Sequence, residues 1–228
     1  MTQLETSVEQ GNGIGWYGKI PSCGDFVQRR LPATLVNQWA HWFQSGLIAR
    51  QLSVPPDGRY SLNGAPMWNF VLPATLGTPF AQLGYLLASQ DRVGRHYPLL
   101  AMWLVSPEQW RNEHLSLAAE RYYGIGQILQ RGVHQCHSIE RIDRALQALP
   151  LIEASQGESE ITPGWPMAVA EFDPLQYGSF WWSTPGAGKP FDAHIHSGNL
   201  TVQLFHHLFE PVSDVKHARQ GLYGPMFD

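Results

Sequence analysis

The feature that most constrains the fold is a nearly continuous apolar run at residues 97–105, YPLLAMWLV. The run is far shorter than the roughly 20 residues that a membrane-spanning helix requires. It is typical of a strand that is covered on both faces of a sheet. Residues 82–89 (QLGYLLAS) precede it across a turn at 90–96 (QDRVGRH), which predicts a hairpin with a slightly long loop.

Helical patterns flank this hairpin. Apolar residues spaced by three and four predict an amphipathic helix over residues 34–52. Ser106 followed by Pro107 predicts the start of a second helix that continues to about residue 130. A third helix is expected over residues 139–149, with Ser138 as its N-cap, and a short one from Thr201. Further strands are predicted at 14–20, 68–72, 179–183 and 192–197.

This order of elements predicts an α+β fold, in which helices pack on a single mixed or antiparallel sheet. It is compatible with a longin-like or profilin-like core followed by a C-terminal hairpin and helix. We expect a disordered leader at residues 1–13 and a single domain at 14–228, with its core at 14–150 and a C-terminal extension at 165–228.

Composition narrows the function classes. The net charge is −4 and only three lysines occur, at Lys19, Lys189 and Lys216, which argues against nucleic-acid binding. Two cysteines make no disulfide framework, and no secretory signal opens the chain, so we expect a cytoplasmic location. Charged residues are 15% of the chain and nine residues are tryptophan, which favours a binding protein because tryptophan is enriched in binding hot spots.

Two loops rich in arginine and aspartate are the leading candidates for a binding surface. Their charged members are Asp25, Arg29 and Arg30 in one loop, and Asp91, Arg92 and Arg95 in the other. In the first interpretation, Asp25 pairs with Arg92 or Arg95 and holds the two loops together. In the second, the loops form a recognition surface for an acidic or phosphorylated partner. Both interpretations require the loops to converge in space.

Adjacent tryptophans at Trp181 and Trp182 lie in a predicted strand, so their rings point to opposite faces. One ring can enter the core, and the other must meet a second layer or a partner. Burial within the chain is the commoner outcome, but either ring is a candidate for the binding surface.

Enzymatic alternatives depend on two features. Cys23 lies in a loop beside an acid and could act as a nucleophile if a base were brought to it. His194 and His196 lie two apart on a predicted strand and could bind zinc if His206, His207 or Asp192 supplied a third ligand. Neither a phosphate-binding loop nor a G-x-S-x-G nucleophile elbow occurs in the sequence.

Four local strings resemble one family of proteins. They are GWYGKIPSCGDFVQRRLP at 15–32, WNFVLP at 68–73, DRVGRHYPL at 91–99 and SFWW at 179–182. Their order and spacing are similar to those of the TagF proteins, also called ImpM, of bacterial type VI secretion.

The resemblance implies a cytoplasmic, non-enzymatic factor that represses type VI secretion after translation. It also implies a link to a threonine-phosphorylation pathway, with a forkhead-associated scaffold protein among its expected partners. No catalytic residue, metal, cofactor, nucleic acid or membrane insertion is expected, and the oligomeric state stays open. The alternative is a hydrolase of the same pathway that uses Cys23 or a histidine-based metal site. The expected partner-binding residues are Asp25, Phe26, Arg29, Arg30, Arg92, Arg95, Trp181 and Trp182.

Overall fold

A computed structural model describes residues 13–55, 58–111, 115, 118–150, 171–183 and 192–211. The predicted leader, apart from residue 13, lies outside these residues, as do parts of the C-terminal extension. The strands are β1 (Gly15–Gly18), β2 (Val27–Arg29), β3 (Trp68–Leu72), β4 (Ala81–Gln90), β5 (His96–Val105), β6 (Gly178–Ser183) and β7 (Ala193–Ser197). The helices are α1 (Ala33–Leu52), α2 (Ala119–His134), α3 (Ile139–Gln147) and α4 (Val202–Phe209).

The described strands form one seven-stranded sheet in the order β2-β1-β5-β4-β3-β6-β7. Every neighbouring pair is antiparallel. The predicted α+β class is therefore confirmed, and of the two sheet types the antiparallel one is present. A relationship to the longin or profilin fold stays a prediction, and so does the division into a core and an extension.

The hairpin formed by β4 and β5 is the centre of the sheet. Its register pairs Ala81 with Val105 at one end and Gln90 with His96 at the other. One face of the sheet packs against α2 and α3, and the opposite face packs against α1 and α4. Apolar side chains on both faces of β5 are thus buried, which confirms the prediction made from the continuous apolar run.

Two boundaries differ from the sequence-based expectation. Pro107 opens only a short 3₁₀ turn (Pro107–Gln109), and the helix begins at Ala119, so a continuous helix from Pro107 is wrong. The Ser106 hydroxyl does accept a hydrogen bond from the Glu108 amide, as an N-cap would. Strand β2 lies inside the segment that was predicted to be a loop, because it pairs with β1.

Tryptophan side chains are part of the core of this fold. All tryptophans among the described residues are buried. Several indole N–H groups meet buried acceptors: Trp39 donates to Gln82 Oε1 at 2.8 Å, and Trp68 donates to the Leu208 carbonyl at 2.7 Å. Because the hydrogen bond satisfies the polar end of each ring, these indoles can be buried without an unpaired donor.

Trp181 and Trp182 follow the same rule, which corrects their assignment to the binding surface. Trp181 packs on the α1 face and Trp182 on the α2 face, as alternation along a strand requires. Their exposed fractions are 1% and 3%. Both rings are therefore covered by this chain and offer no side-chain area to a partner.

No described helix is both long enough and apolar enough to cross a bilayer.

Candidate functional site

Asp91 organises the candidate site at one end of the β4–β5 hairpin. Its carboxylate accepts hydrogen bonds from Lys19 Nζ at 2.8 Å and from Arg95 Nε at 2.6 Å. The backbone amides of Val93 and Arg95 donate to its other oxygen at 3.0 and 2.9 Å. An aspartate that binds the amide two residues ahead stabilises a turn. We call Asp91, Lys19 and Arg95 the Asp91 cluster.

The Asp91 carboxyl is ionised in this setting although its side chain has no exposed area. Burial by itself raises its pKa, but the hydrogen bonds from Lys19, Arg95 and Val93 outweigh that effect and hold the pKa well below its usual range. A buried carboxylate with several charge-assisted bonds resists rotation, since any movement breaks several of them. The turn that carries Arg92 and Arg95 is accordingly rigid.

The loops that carry Asp25 and Arg92 converge. The first loop (residues 19–26) joins β1 to β2, and the second loop (residues 91–95) joins β4 to β5. The Arg92 amide donates to the Cys23 carbonyl at 3.0 Å, and the Arg95 guanidinium donates to the Gly24 carbonyl at 3.3 Å. The Lys19–Asp91 ion pair adds a third connection between them.

Asp25 is not the residue that joins the loops, which corrects the pairing expected from the sequence. The ion pairs among the described residues join Lys19 and Arg95 to Asp91, and Arg30 to Asp143. Asp25 is exposed and takes part in none of them. Asp91 joins the two loops, which is the role that we expected for Asp25. It is buried, immediately follows β4 and comes three residues before Gly94.

Phe26 lies at the centre of the exposed face of these loops. Its ring stacks on Tyr17 at 5.9 Å and meets the edge of Tyr97 at 4.8 Å. Lys19 Nζ lies 4.8 Å from the centre of the Phe26 ring. The Tyr17 and Tyr97 hydroxyls are 3.1 Å apart. Burial is the main reason why the pKa of each is raised, so both stay uncharged at neutral pH.

Phe26 nevertheless remains 53% exposed, and Val93 in the facing loop is 69% exposed. Arg92 and Asp25 are exposed beside them, and the Arg95 side chain is 64% exposed although it binds Asp91. We call this surface the loop patch; its members are Asp25, Phe26, Arg92, Val93 and Arg95. Phenylalanine and arginine are among the residue types that are enriched in protein interfaces.

Arg30 has a structural role that separates it from the loop patch. Its guanidinium donates to both carboxylate oxygens of Asp143 in α3, at 3.0 and 2.6 Å. Trp16 and Gln147 donate to the same carboxylate at 2.8 and 2.7 Å. Arg30 also has a left-handed backbone (φ 53°), which is uncommon outside glycine. Its guanidinium therefore binds α3, and a contact between Arg30 and a partner stays a prediction.

Arg29 is exposed on the α3 side of the sheet. It is paired in register with Trp16, and its guanidinium donates to the Gln28 carbonyl at 2.8 Å. It lines a small depression with residues of α3, among them Glu140 and Arg144. Arg29 thus stays a candidate contact, but it faces a different side of the molecule from Phe26, which stacks on Tyr17.

The enzymatic alternatives find limited support in this geometry. Cys23 is partly buried, and its backbone carbonyl accepts from Arg92. His194 and His207 have ring centres 4.2 Å apart, and His196 is 6.4 Å from His194. No group of three or more His, Cys, Asp or Glu side chains within the described ranges could hold a metal ion.

A cleft of about 520 Å³ opens beside the two loops. Pro21 of the first loop lines it, as do Gln90 and His96, which flank the second loop. Its remaining walls come from the segment at 62–67, the end of β4 and the end of α2. Composition and periodicity do not locate such a cleft, because its walls come from distant parts of the chain.

The sequence analysis did not identify Asp91 as the organising residue, although an aspartate three residues before Gly94 is typical of a turn.

The chain is similar to one protein family in sequence and to a solved structure in fold. The family model of the TagF N-terminal domain, type VI secretion system-associated, matches residues 15–149. PA0076 from Pseudomonas aeruginosa PAO1, a crystal structure, is 24% identical with a TM-score of 0.66, covering 95% of this chain and 99% of that chain. At this identity the likeness shows a shared fold. A search of the curated proteins gives no match.

Proposed function

Because the chain belongs to the TagF family of type VI secretion system-associated proteins, we propose that it regulates secretion by binding another protein through the loop patch. The observation that carries this proposal is the Asp91 cluster, which stabilises the turn that carries Arg92 and Val93 and contacts Phe26 through Lys19. A preorganised surface loses little conformational entropy when a partner binds.

The chemistry of the loop patch supports an acidic partner. Arg92 is exposed and forms no ion pair among the described residues, so its guanidinium is available to a carboxylate or phosphate. Arg95 keeps most of its side chain exposed while Asp91 orients it. Phe26 and Val93 would contribute apolar contact between these charges.

The finer parts of the proposal rest on the resemblance to the TagF proteins. They are that the chain represses secretion after translation, that it works in the cytoplasm without catalysing a reaction, and that its partner is a forkhead-associated scaffold or another cytoplasmic component. A binding role agrees with the loop patch, whose exposed side chains are carried by the turn that Asp91 stabilises.

The test is a secretion assay in cells that carry an active type VI cluster. Overproduced wild-type chain should lower the release of the secreted tube protein, and the charge reversal Arg92→Glu together with Phe26→Ala should restore release. Leu52→Ala is a matched control, because Leu52 is exposed on α1, outside the loop patch. Circular dichroism of the purified variants confirms that each is folded.

Purified components then separate binding from chemistry. The wild-type chain should retain a secretion-system protein in a pull-down, and the double variant should not. If Cys23→Ala, or His194→Ala with His196→Ala, abolished repression in a folded protein while pull-down persisted, the hydrolase alternative would replace our proposal. Unaltered repression by the Arg92 and Phe26 double variant would exclude the loop patch as the site.

A further inference from the structure

The cleft beside the loop patch contains a buried polar group that lacks a hydrogen-bond partner among the described residues. Ser89 lies near the end of β4, is 4% exposed and lines the cleft. Its hydroxyl oxygen is buried and accepts or donates no hydrogen bond among the described residues. Leaving such a group without a hydrogen bond is unfavourable. A ligand that supplied the missing hydrogen bond would recover part of that cost.

The other described residues that line the cleft include several that can form hydrogen bonds. Asn63, Gln90 and Gln130 contribute amides, and His96 and His134 contribute imidazoles. No Asp, Glu, Lys or Arg is among the described residues that line it. Apolar walls come from Leu62, Met67, Leu87 and Val133. This lining suits an uncharged polar side chain with an aliphatic part, because a charged group would be desolvated there without a counter-ion.

The position of the cleft connects it to the loop patch. Gln90 and His96 line the cleft, and they immediately flank the turn that carries Arg92 and Arg95. Pro21 lines it from the first loop, four residues before Asp25. A volume of about 520 Å³ is within the range of pockets that hold small ligands, which is ample for one side chain. A single extended segment of a partner can therefore contact both features.

Resting on the proposed function, we propose that the cleft receives an uncharged polar residue, such as serine, threonine, asparagine or glutamine, from the partner segment whose acidic residues bind Arg92 and Arg95. The exposed arginines bind the flanking carboxylates. Ser89 and the neighbouring amides form hydrogen bonds with the polar residue. The cleft then determines which acidic segment is selected, since charge alone would accept many.

Photocrosslinking in cells tests this arrangement. The photoreactive residue p-benzoyl-phenylalanine replaces Val93 in the loop patch, Asn63 at the cleft, or Ile195 on β7 as a control at the opposite edge of the sheet. Cells expressing an active type VI cluster are irradiated, and the crosslinked peptides are identified by mass spectrometry. We expect the Val93 and Asn63 probes to label the same tryptic peptide of one protein, with acidic residues beside an uncharged polar one. The Ile195 probe should not label it.

The outcomes separate this inference from the proposed function. A Val93 crosslink without any Asn63 crosslink overturns the role of the cleft and leaves the loop patch as the binding site. An Asn63 crosslink to this chain itself, or to a different protein, also overturns it. If neither probe labels a secretion-system protein, both proposals fail.

A synthetic peptide with the crosslinked sequence then tests the hydroxyl of Ser89. Ser89→Ala should weaken the affinity of the purified chain roughly fivefold, the effect of one hydrogen bond. Replacing the polar residue of the peptide by alanine should have the same effect, and the two changes together should cost no more than either alone. Strict additivity would show that Ser89 does not contact that residue. Ser197→Ala, at an exposed position of β7 outside the cleft lining, is the matched control.

Discussion

Lys19 and Asp91 form a buried ion pair that joins two loops 72 positions apart in the sequence, with Nζ and Oδ2 separated by 2.8 Å. Lys19 is only 7% exposed. If either charge were removed, water could not solvate the one that remains. This pair and the turn that Asp91 stabilises position Arg92, Val93 and Arg95 of the loop patch.

Asp91→Asn should therefore destabilise the protein strongly. The amide keeps the size of the side chain but leaves the Lys19 ammonium buried without a counter-charge, and loss of one partner of a buried pair costs about 3–5 kcal/mol. The measurement is urea denaturation followed by tryptophan fluorescence. Asp25→Asn is the matched control: it removes an exposed carboxylate without an ion pair and should change stability by less than about 0.5 kcal/mol. Equal losses in the two variants would refute the central role of Asp91.

Asp143→Asn should detach the end of β2 from α3. The carboxylate accepts from Arg30 twice and also from Trp16 and Gln147, and these donors hold its pKa below the ordinary value. Hydrogen bonds to a charged group contribute about 1.5–3 kcal/mol to stability. Because the Arg30–Asp143 pair is partly exposed, solvent weakens it, and we expect the variant to lose only part of that free energy. Hydrogen exchange should rise in β2 and α3 before it rises in β4. Arg141→Gln, an exposed position on the same helix, should leave the exchange pattern unchanged.

Gly46→Ala distinguishes helix propensity from packing. Alanine in place of glycine favours an isolated helix by about 1 kcal/mol. In this fold the added Cβ would overlap the buried ring of Phe205, which joins α4 to α1. Overpacking costs about 1–3 kcal/mol, so we expect a net loss of stability. Combining Gly46→Ala with Phe205→Leu should recover part of the lost stability, as measured by urea denaturation. If Gly46→Ala by itself were more stable than the wild type, α4 would have to move away from the added methyl group at little cost.

Stability should decline as the pH falls below neutrality, partly because of His194. Burial first, and then the neighbouring His207 and His196, lower the pKa of His194, while Asp192 opposes the shift. The unfolded chain therefore binds this proton more readily than the folded one. The contribution is complete above the unfolded pKa of about 6.5 and is lost as the pH falls through the lower folded pKa.

Urea denaturation at pH values on either side of about 6.5 measures this effect. His194→Gln should show a smaller decline on acidification than the wild type. His41→Gln, at an exposed position of α1, should decline like the wild type. A wild-type decline in His194→Gln would assign the pH dependence to other groups.

Local sequence patterns predicted most elements of the fold correctly. Strand β3 was predicted with the same bounds, and β4, β5 and α1 to within one residue at each end. These elements carry strong periodicity or continuous apolar character, which depend on neighbouring residues alone. Strand β2 was missed because three residues have no periodicity, and only pairing with β1 makes them a strand.

By itself the sequence determined the α+β class, the buried central hairpin and the family strings, since each is written in local spacing and composition. Only the tertiary structure decided that Asp91 rather than Asp25 joins the loops, that Arg30 binds α3, that both Trp181 and Trp182 are buried, and that a cleft lies beside the loop patch. The physical reason is that a charged or aromatic side chain takes whichever partner the fold brings within reach. For Asp91 that partner comes from a strand end 72 residues away.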